Sequence, residues 1–214
     1  ALGGLISELS GAINIALECI MLVAAFTGVV VSAYLESTIL GVLAGILAGM
    51  AIAFVLGWFH LYLETDIILA GTAINILATG GTIFVLYVLT GDKGNSSSLA
   101  SAMVPNVNIP LIEDIPFIGR IISGQHIFVW LAFILTWVVS IFLYRTPFGT
   151  HLRAVGESPE AAESLGINVN RTRMAALLIS GFLASLGGLT MSMAYLPLFQ
   201  REMTAGRGFI ALAA

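Results

Sequence analysis

Residues 144–188 read YRTPFGTHLRAVGESPEAAESLGINVNRTRMAALLISGFLASLGG. An apolar run ends at Tyr144 and another begins at Met174. Between them lie Arg145, Arg153, Arg171 and Arg173, half of the 8 Lys and Arg in the chain. Such an interval joins two membrane spans, and its basic residues put it on the cytoplasmic side by the positive-inside rule. Within it the punctuation predicts one short helix. Ser158 is a capping residue, Pro159 suits the first helical position, Glu160 sits in the first turn against the helix dipole, and Gly166 can close the end. A helix of about two turns is marginal alone, because its nucleation cost is spread over few hydrogen bonds. It needs a surface to hold it, either its own bundle or another protein.

The composition extends this reading to the whole chain. Hydrophobic residues make up 58%, charged residues 9%, and the mean hydropathy is +1.02, whereas a soluble domain carries roughly 25% charged residues. Five apolar runs, 14–35, 38–59, 67–90, 126–144 and 174–198, are long enough to cross a hydrocarbon core of ~30 Å. Their Gly, Ala, Ser and Thr let helix backbones approach closely. The fold class predicted is therefore all-α: a single polytopic transmembrane helical bundle over 1–214 with a cytoplasmic helix in the loop 145–173. A β-barrel would need short alternating segments, and these runs are continuous. Counting back from the basic loop, the polar stretch 91–125, with Lys93, Glu113, Asp114 and Arg120, falls outside the cell. The connection from His60 to Asp66 falls inside although it carries Glu64 and Asp66 and no basic residue; acidic residues weigh little in topology.

Several classes of function are disfavoured. No G-x-x-x-x-G-K-[ST] phosphate loop and no G-x-S-x-G elbow occur. His60, His126 and His151 are too scattered for a short metal-ligand spacing, so no metal is expected. The single Cys19 lies in an apolar run and reads as a small buried hydrophobe. No signal peptide is visible, since the given start lacks a basic region and a cleavage site of small residues; Ala1 and Ala214 both lie in apolar stretches, and the chain is expected to be a piece of a longer one.

RAVGESPEAAESLGINV at 153–169 resembles the cytoplasmic coupling loop of ABC importer permeases, the branch serving simple sugars, nucleosides and branched-chain amino acids. SGAINIALECIM at 10–21 and TAGRGFIALAA at 204–214 resemble the nucleoside-type permeases, which usually carry Gly where this chain has Ala16 and Cys19. The resemblance implies missing helices at both ends. It also implies that Arg153, Gly156, Ser158, Pro159, Glu160, Ala161, Ala162 and Gly166 form the contact with a cytoplasmic ATPase subunit. Ala161 and Ala162 would present a small face to that partner, with Arg153, Glu160 and Glu163 setting its register. Substitution at Gly156 or Glu160 would leave the bundle folded and uncouple it.

Polar residues at membrane depth mark the candidate substrate pathway. Asn14 and Glu18, four apart, would share a helix face, with Glu18 either accepting hydrogen bonds from a substrate or pairing with backbone donors at a break near Gly11. Asn75, one turn from Thr72 and Thr79, would line the same path or bond helix to helix. Gly206 and Arg207 join this set through an echo between Asn14-Ile-Ala-Leu and Phe209-Ile-Ala-Leu, since duplicated halves commonly place a pathway at their interface. Arg207 is otherwise an interfacial arginine. The pairs Gly80-Gly81 and Gly187-Gly188 read as packing glycines.

These readings point to a permease subunit of an ABC importer in a prokaryotic cell membrane, carrying nucleosides, with ribose-like sugars or branched-chain amino acids as alternative cargo. An ion-coupled carrier or channel is the alternative of a different class. The partners implied are ATPase subunits, a second permease copy or homologue, an extracytoplasmic substrate-binding protein and the bilayer, with no nucleic acid. No cofactor is expected on this chain, ATP being held by the ATPase partners.

Overall fold

A ladder of small residues at every fourth position, Gly41, Gly45, Gly49, Ala53 and Gly57, runs along one face of a long helix and is buried throughout. A computed structural model describes residues 1–92, 94–97, 99, 106–107, 125–196 and 198–213 of the chain. In it this face packs on two neighbours. A Cβ added at Gly41 would lie 2.7 Å from the carbonyl oxygen of Gly28, and one at Gly45 would lie 2.8 Å from that of Ala24. Backbones in contact at this range gain dispersion and Cα–H···O interactions that bulky side chains would prevent, which is how helices associate where lipid supplies no hydrophobic drive.

The described helices are α1 (Leu2–Leu9), α2 (Leu17–Leu35), α3 (Thr38–Tyr62), α4 (Ile67–Thr90), α5 (Ile127–Arg145), α6 (Pro147–Glu157), α7 (Pro159–Ser164), α8 (Val169–Leu189) and α9 (Arg207–Ala213). A single π-helical turn, Thr190–Tyr195, continues α8. The strands among described residues are a two-residue antiparallel pair, Asn106–Val107 with Gln125–His126. The chain is thus an α-helical bundle, with five helices among the described residues long and apolar enough to span a membrane. In α2 and α8 56% of the most apolar window is buried, against 17% in α4 and α5, so α2 and α8 form the inner layer. The outer helices expose Ile76 at 75%, Leu77 at 73% and Phe133 at 71%, a surface that lipid solvates and water would not. Most of the stretch 91–125 read as external, including Lys93, Glu113, Asp114 and Arg120, lies outside the described residues.

Helix ends depart from the limits of the apolar runs because hydrogen bonding, not hydropathy, sets them. α2 begins at Leu17, after a turn, where the apolar run begins at Asn14. α8 begins at Val169, well before Met174, because Asn168 accepts a hydrogen bond from the amide of Arg171. Arg171 and Arg173 therefore belong to a helix and not to the loop. α4 is capped by Asp66, whose carboxylate accepts from the amides of Ile68 and Leu69; this gives the acidic connection before α4 a local structural role. The π-helical turn left no signal in the sequence, and it buries Ser192, Met193 and Ala194.

Candidate functional site

Two helices occupy the Arg-rich interval where one was predicted. The second is the expected one: Ser158 Oγ accepts from the amide of Ala161, Pro159 opens α7, and Gly166 at φ +81° closes it. Beyond it, Ile167 N donates to Ala162 O at 3.0 Å and Gly166 N to Glu163 O at 2.8 Å, the paired bonds of a Schellman end. The first helix, α6, was missed, although Thr146-Pro147 repeats the punctuation of Ser158-Pro159; Thr146 Oγ1 accepts from Gly149 N at 3.2 Å. With its cap removed by Ser158→Ala, α7 is expected to lose about 1 kcal/mol of local stability. Amide exchange at Ala161 should then rise roughly fivefold while the melting temperature of the full-length protein stays nearly constant; unchanged exchange would show the cap to be dispensable.

The structure alters the expected contact face. Ala162 is 2% exposed and packs with Val155 and Val169, whereas Ala161 is exposed, so the two alanines do not form one small face. Residues one apart on a helix point about 100° away from each other, and Ala162 takes the inward direction. The outward face carries Glu160, Ala161, Glu163, Ser164 and Leu165. Arg153 lies 5.2 Å from the centre of the Tyr144 ring and its Nε donates to Gly149 O at 3.4 Å, which fixes the side chain on α6. Gly156 is set against the carbonyl of Leu9, which any Cβ would strike. It is a packing contact between α6 and α1, and the expectation that a bulky residue there leaves the bundle folded is corrected.

The turn 10–16 leads from this loop into the membrane-spanning layer. Ser10 is followed by Gly11 at φ +75°, and Ser7 Oγ accepts from Asn14 N at 3.3 Å. Asn14 is fully buried, and its Nδ2 donates to Ser180 Oγ at 3.0 Å. Because α2 starts only at Leu17, Asn14 and Glu18 do not share a helix face, and that expectation fails. Ala16, at the N-cap of α2, has no capping side chain. Asn75 of α4 supplies the cap from across the helix pair: its Oδ1 accepts from Cys19 N at 3.0 Å and its Nδ2 donates to Ile15 O at 3.0 Å. The helix-to-helix alternative is the one that Asn75 adopts.

Glu18 is bound by backbone donors, but not near Gly11. Its Oε1 accepts from Gly206 N at 2.9 Å and its Oε2 from Gly208 N at 2.7 Å. Gly208 has no room for a side chain, since a Cβ would lie 2.5 Å from Glu18 Cα. A cavity of about 600 Å³ opens beside this junction, lined by Glu18, Cys19, Asn75, Thr79, Glu202 and Gly206 among others. Each carboxylate oxygen of Glu18 keeps a second lone pair for a donor in the cavity. Glu202 was not singled out in the sequence; it lies just before the quoted 204–214 stretch.

The structure brings Glu18, Asn75 and Gly206 together and leaves the other pathway candidates elsewhere. Thr72 is exposed and donates to Ile68 O at 2.9 Å on its own helix. Asn14 sits within the turn 10–16, buried against Ser180 and outside the cavity lining. Arg207 points to a different cavity of about 740 Å³ with Tyr195 and Gln200, its Nη1 3.6 Å from Met191 Sδ. The echo between 14–17 and 209–212 has a backbone counterpart: Gly11 and Gly206, each three residues before its copy, adopt φ +75° and +78°.

Over residues 1–214 the chain matches the family described as "Branched-chain amino acid transport system / permease component". It is 35% identical to the guanosine ABC transporter permease protein NupQ of Bacillus subtilis (strain 168), an alignment covering 100% of this chain and 69% of that protein. It is also 35% identical to the nucleoside ABC transporter permease protein NupC of Lactococcus lactis subsp. cremoris (strain MG1363), with the same coverage of 100% and 69%. With the putative glucose ABC transporter permease protein TsgC13 of Haloferax volcanii it shares 34% identity over 99% of this chain and 64% of that protein. No solved structure gives a significant match.

Proposed function

The chain belongs to the family of branched-chain amino acid transport system permease components, and from that premise we propose that it forms the membrane-spanning part of an ATP-driven importer of nucleosides. The observation carrying the cargo is the similarity, over the whole of this chain, to permeases named for guanosine and for nucleosides, at 35% identity in each case. The cavity chemistry favours the same choice. Among the described residues its lining includes the carboxylates of Glu18 and of Glu202, the latter 3.8 Å from Arg201 Nε, and no Lys or Arg. Carboxylates accept from the N–H edge of a base and from ribose hydroxyls, but repel the carboxylate of an amino acid. Sugars remain the second reading, favoured by the 34% identity to a putative glucose permease.

In this reading the loop 145–173 is cytoplasmic, the outward face of α7 meets an ATPase subunit, and a second permease completes the pathway. Energy comes from ATPase partners, since this chain carries no phosphate loop, and an extracytoplasmic binding protein delivers the substrate. The membrane is the prokaryotic cell membrane. The test is uptake of labelled nucleosides, ribose and leucine into vesicles holding the full-length permease, its ATPase and its binding protein. ATP-dependent uptake of nucleosides above the other two is expected. ATP-driven uptake of ribose or leucine instead would move the cargo, and uptake indifferent to ATP would overturn the importer reading.

A further inference from the structure

The turn 10–16 is gripped from both sides. On the side of the Arg-rich loop, Gly156 of α6 lies against the carbonyl of Leu9, and Arg173 of α8 donates from Nε to Ser10 O at 3.2 Å. On the cavity side, Asn75 holds Ile15 O and Cys19 N, the residues just before and after the start of α2, and Glu18 follows directly. Between the two grips, Ser7, Ser10, Asn14 and Ser180 are all 0% exposed and bonded to one another or to the local backbone. Asn14 Oδ1 has no partner among the described residues, and the bonds that are made tie the turn to α1 through Ser7 and to α8 through Ser180, so displacing either helix displaces the turn.

Arg173 stands out in this arrangement. Among the described residues it makes no ion pair, its side chain is only partly exposed, and its Nε donates to a backbone oxygen. Arg173 also lines a cavity with Glu64 and Asp66 without pairing to either, so its Nε bond to Ser10 O is what ties it to the turn. We infer that Arg173 is a positioning residue that passes movement of the 145–173 loop to the Glu18 cavity through the 10–16 turn, by its hydrogen bond to Ser10. This rests on the importer reading; it adds which residue links motor to pathway.

The test uses the full-length transporter reconstituted with its ATPase and binding protein, comparing wild type, Arg173→Met and Arg173→Gln. Gln is informative because its Nε2 lies as many bonds from the backbone as the arginine Nε, so it can restore the donor without the charge. Nucleoside transported per ATP hydrolysed is expected to fall at least about fivefold in Arg173→Met, with basal ATPase retained, and to recover in Arg173→Gln. A second readout is the rate at which methyl methanethiosulfonate labels Cys19, measured by mass spectrometry with and without ATP and vanadate. Cys19 is 2% exposed beside the cavity, so its labelling reports movement there. Nucleotide should change that rate in wild type and in Arg173→Gln but not in Arg173→Met. Full coupling in Arg173→Met, or equal loss in both variants, would overturn the hydrogen-bonded link. Should Arg173→Met not assemble, wild-type labelling that ignores nucleotide, or Arg173→Gln lacking the wild-type response, overturns it. Absence of ATP-driven uptake in wild type would instead remove the importer reading.

Discussion

Alanine at Gly188 is expected to destabilise the bundle by about 1–3 kcal/mol, while alanine at the adjacent Gly187 is expected to be neutral or stabilising by about 0.5–1 kcal/mol. The difference lies in what each Cβ meets. At Gly188 it would strike the main-chain carbonyl of Met21, and backbone cannot rotate away as a side chain does, so α8 and α2 must separate. These are the two inner helices, and their separation would loosen the cluster formed by Leu22, Phe26, Leu186 and Leu189. At Gly187 the new methyl would touch only Met21 Cε at 3.6 Å, an ordinary contact with the end of a flexible chain. There the gain is the usual preference of a helix interior for Ala over Gly. Thermal unfolding of the full-length permease in detergent measures both: the midpoint should drop for Gly188→Ala and hold or rise for Gly187→Ala. Equal shifts would mean that the α2–α8 crossing is not as close as described.

Glu18→Gln is expected to release the junction between α2 and α9. The carboxylate presents an acceptor to each of two amides, Gly206 and Gly208. An amide side chain presents one acceptor and one N–H₂ group, so one of the two backbone donors would face another donor. Losing a hydrogen bond to a charged acceptor costs about 1.5–3 kcal/mol, and the unpaired amide adds to it. Amide exchange across 204–208 should rise on the order of tenfold or more, and nucleoside uptake should fall by a similar factor. The two readouts separate two roles for Glu18. If uptake collapses while exchange at 204–208 stays as in wild type, Glu18 acts on the substrate and not on the junction. If neither changes, the bonds to Gly206 and Gly208 carry no weight.

The two predictions rest on features that the sequence reveals to different degrees. Both glycine pairs read as packing glycines, yet of the four only Gly188 is pressed against a neighbour's backbone, and a Cβ added at Gly80 or Gly81 would meet no other described part of the chain within 4 Å. A glycine announces the possibility of close approach; which face of the helix turns to the partner depends on the crossing. Glu18 was legible as a costly residue at membrane depth. Its ligands were not, because they come from 188 and 190 residues further along the chain.

Sequence alone determined the bundle and the local stops and starts of its helices. Length and apolar content decide that the runs cross a membrane, since the hydrocarbon core sets the scale. Caps such as Ser158, Asp66 and Gly166 act within a few residues, so their geometry follows from neighbours in the chain. The repeated Thr146-Pro147 and Ser158-Pro159 signals mark the starts of α6 and α7 alike, both within the reach of local sequence. Tertiary structure decided what depends on residues far apart: the capping of α2 by Asn75, the seating of Gly156 on Leu9, the inward turn of Ala162, and the gathering of Glu18, Asn75 and Gly206 around one cavity while Asn14, Thr72 and Arg207 lie elsewhere. Each of these is a choice among partners that one-dimensional order leaves open, made when the helices cross and every buried donor must find an acceptor.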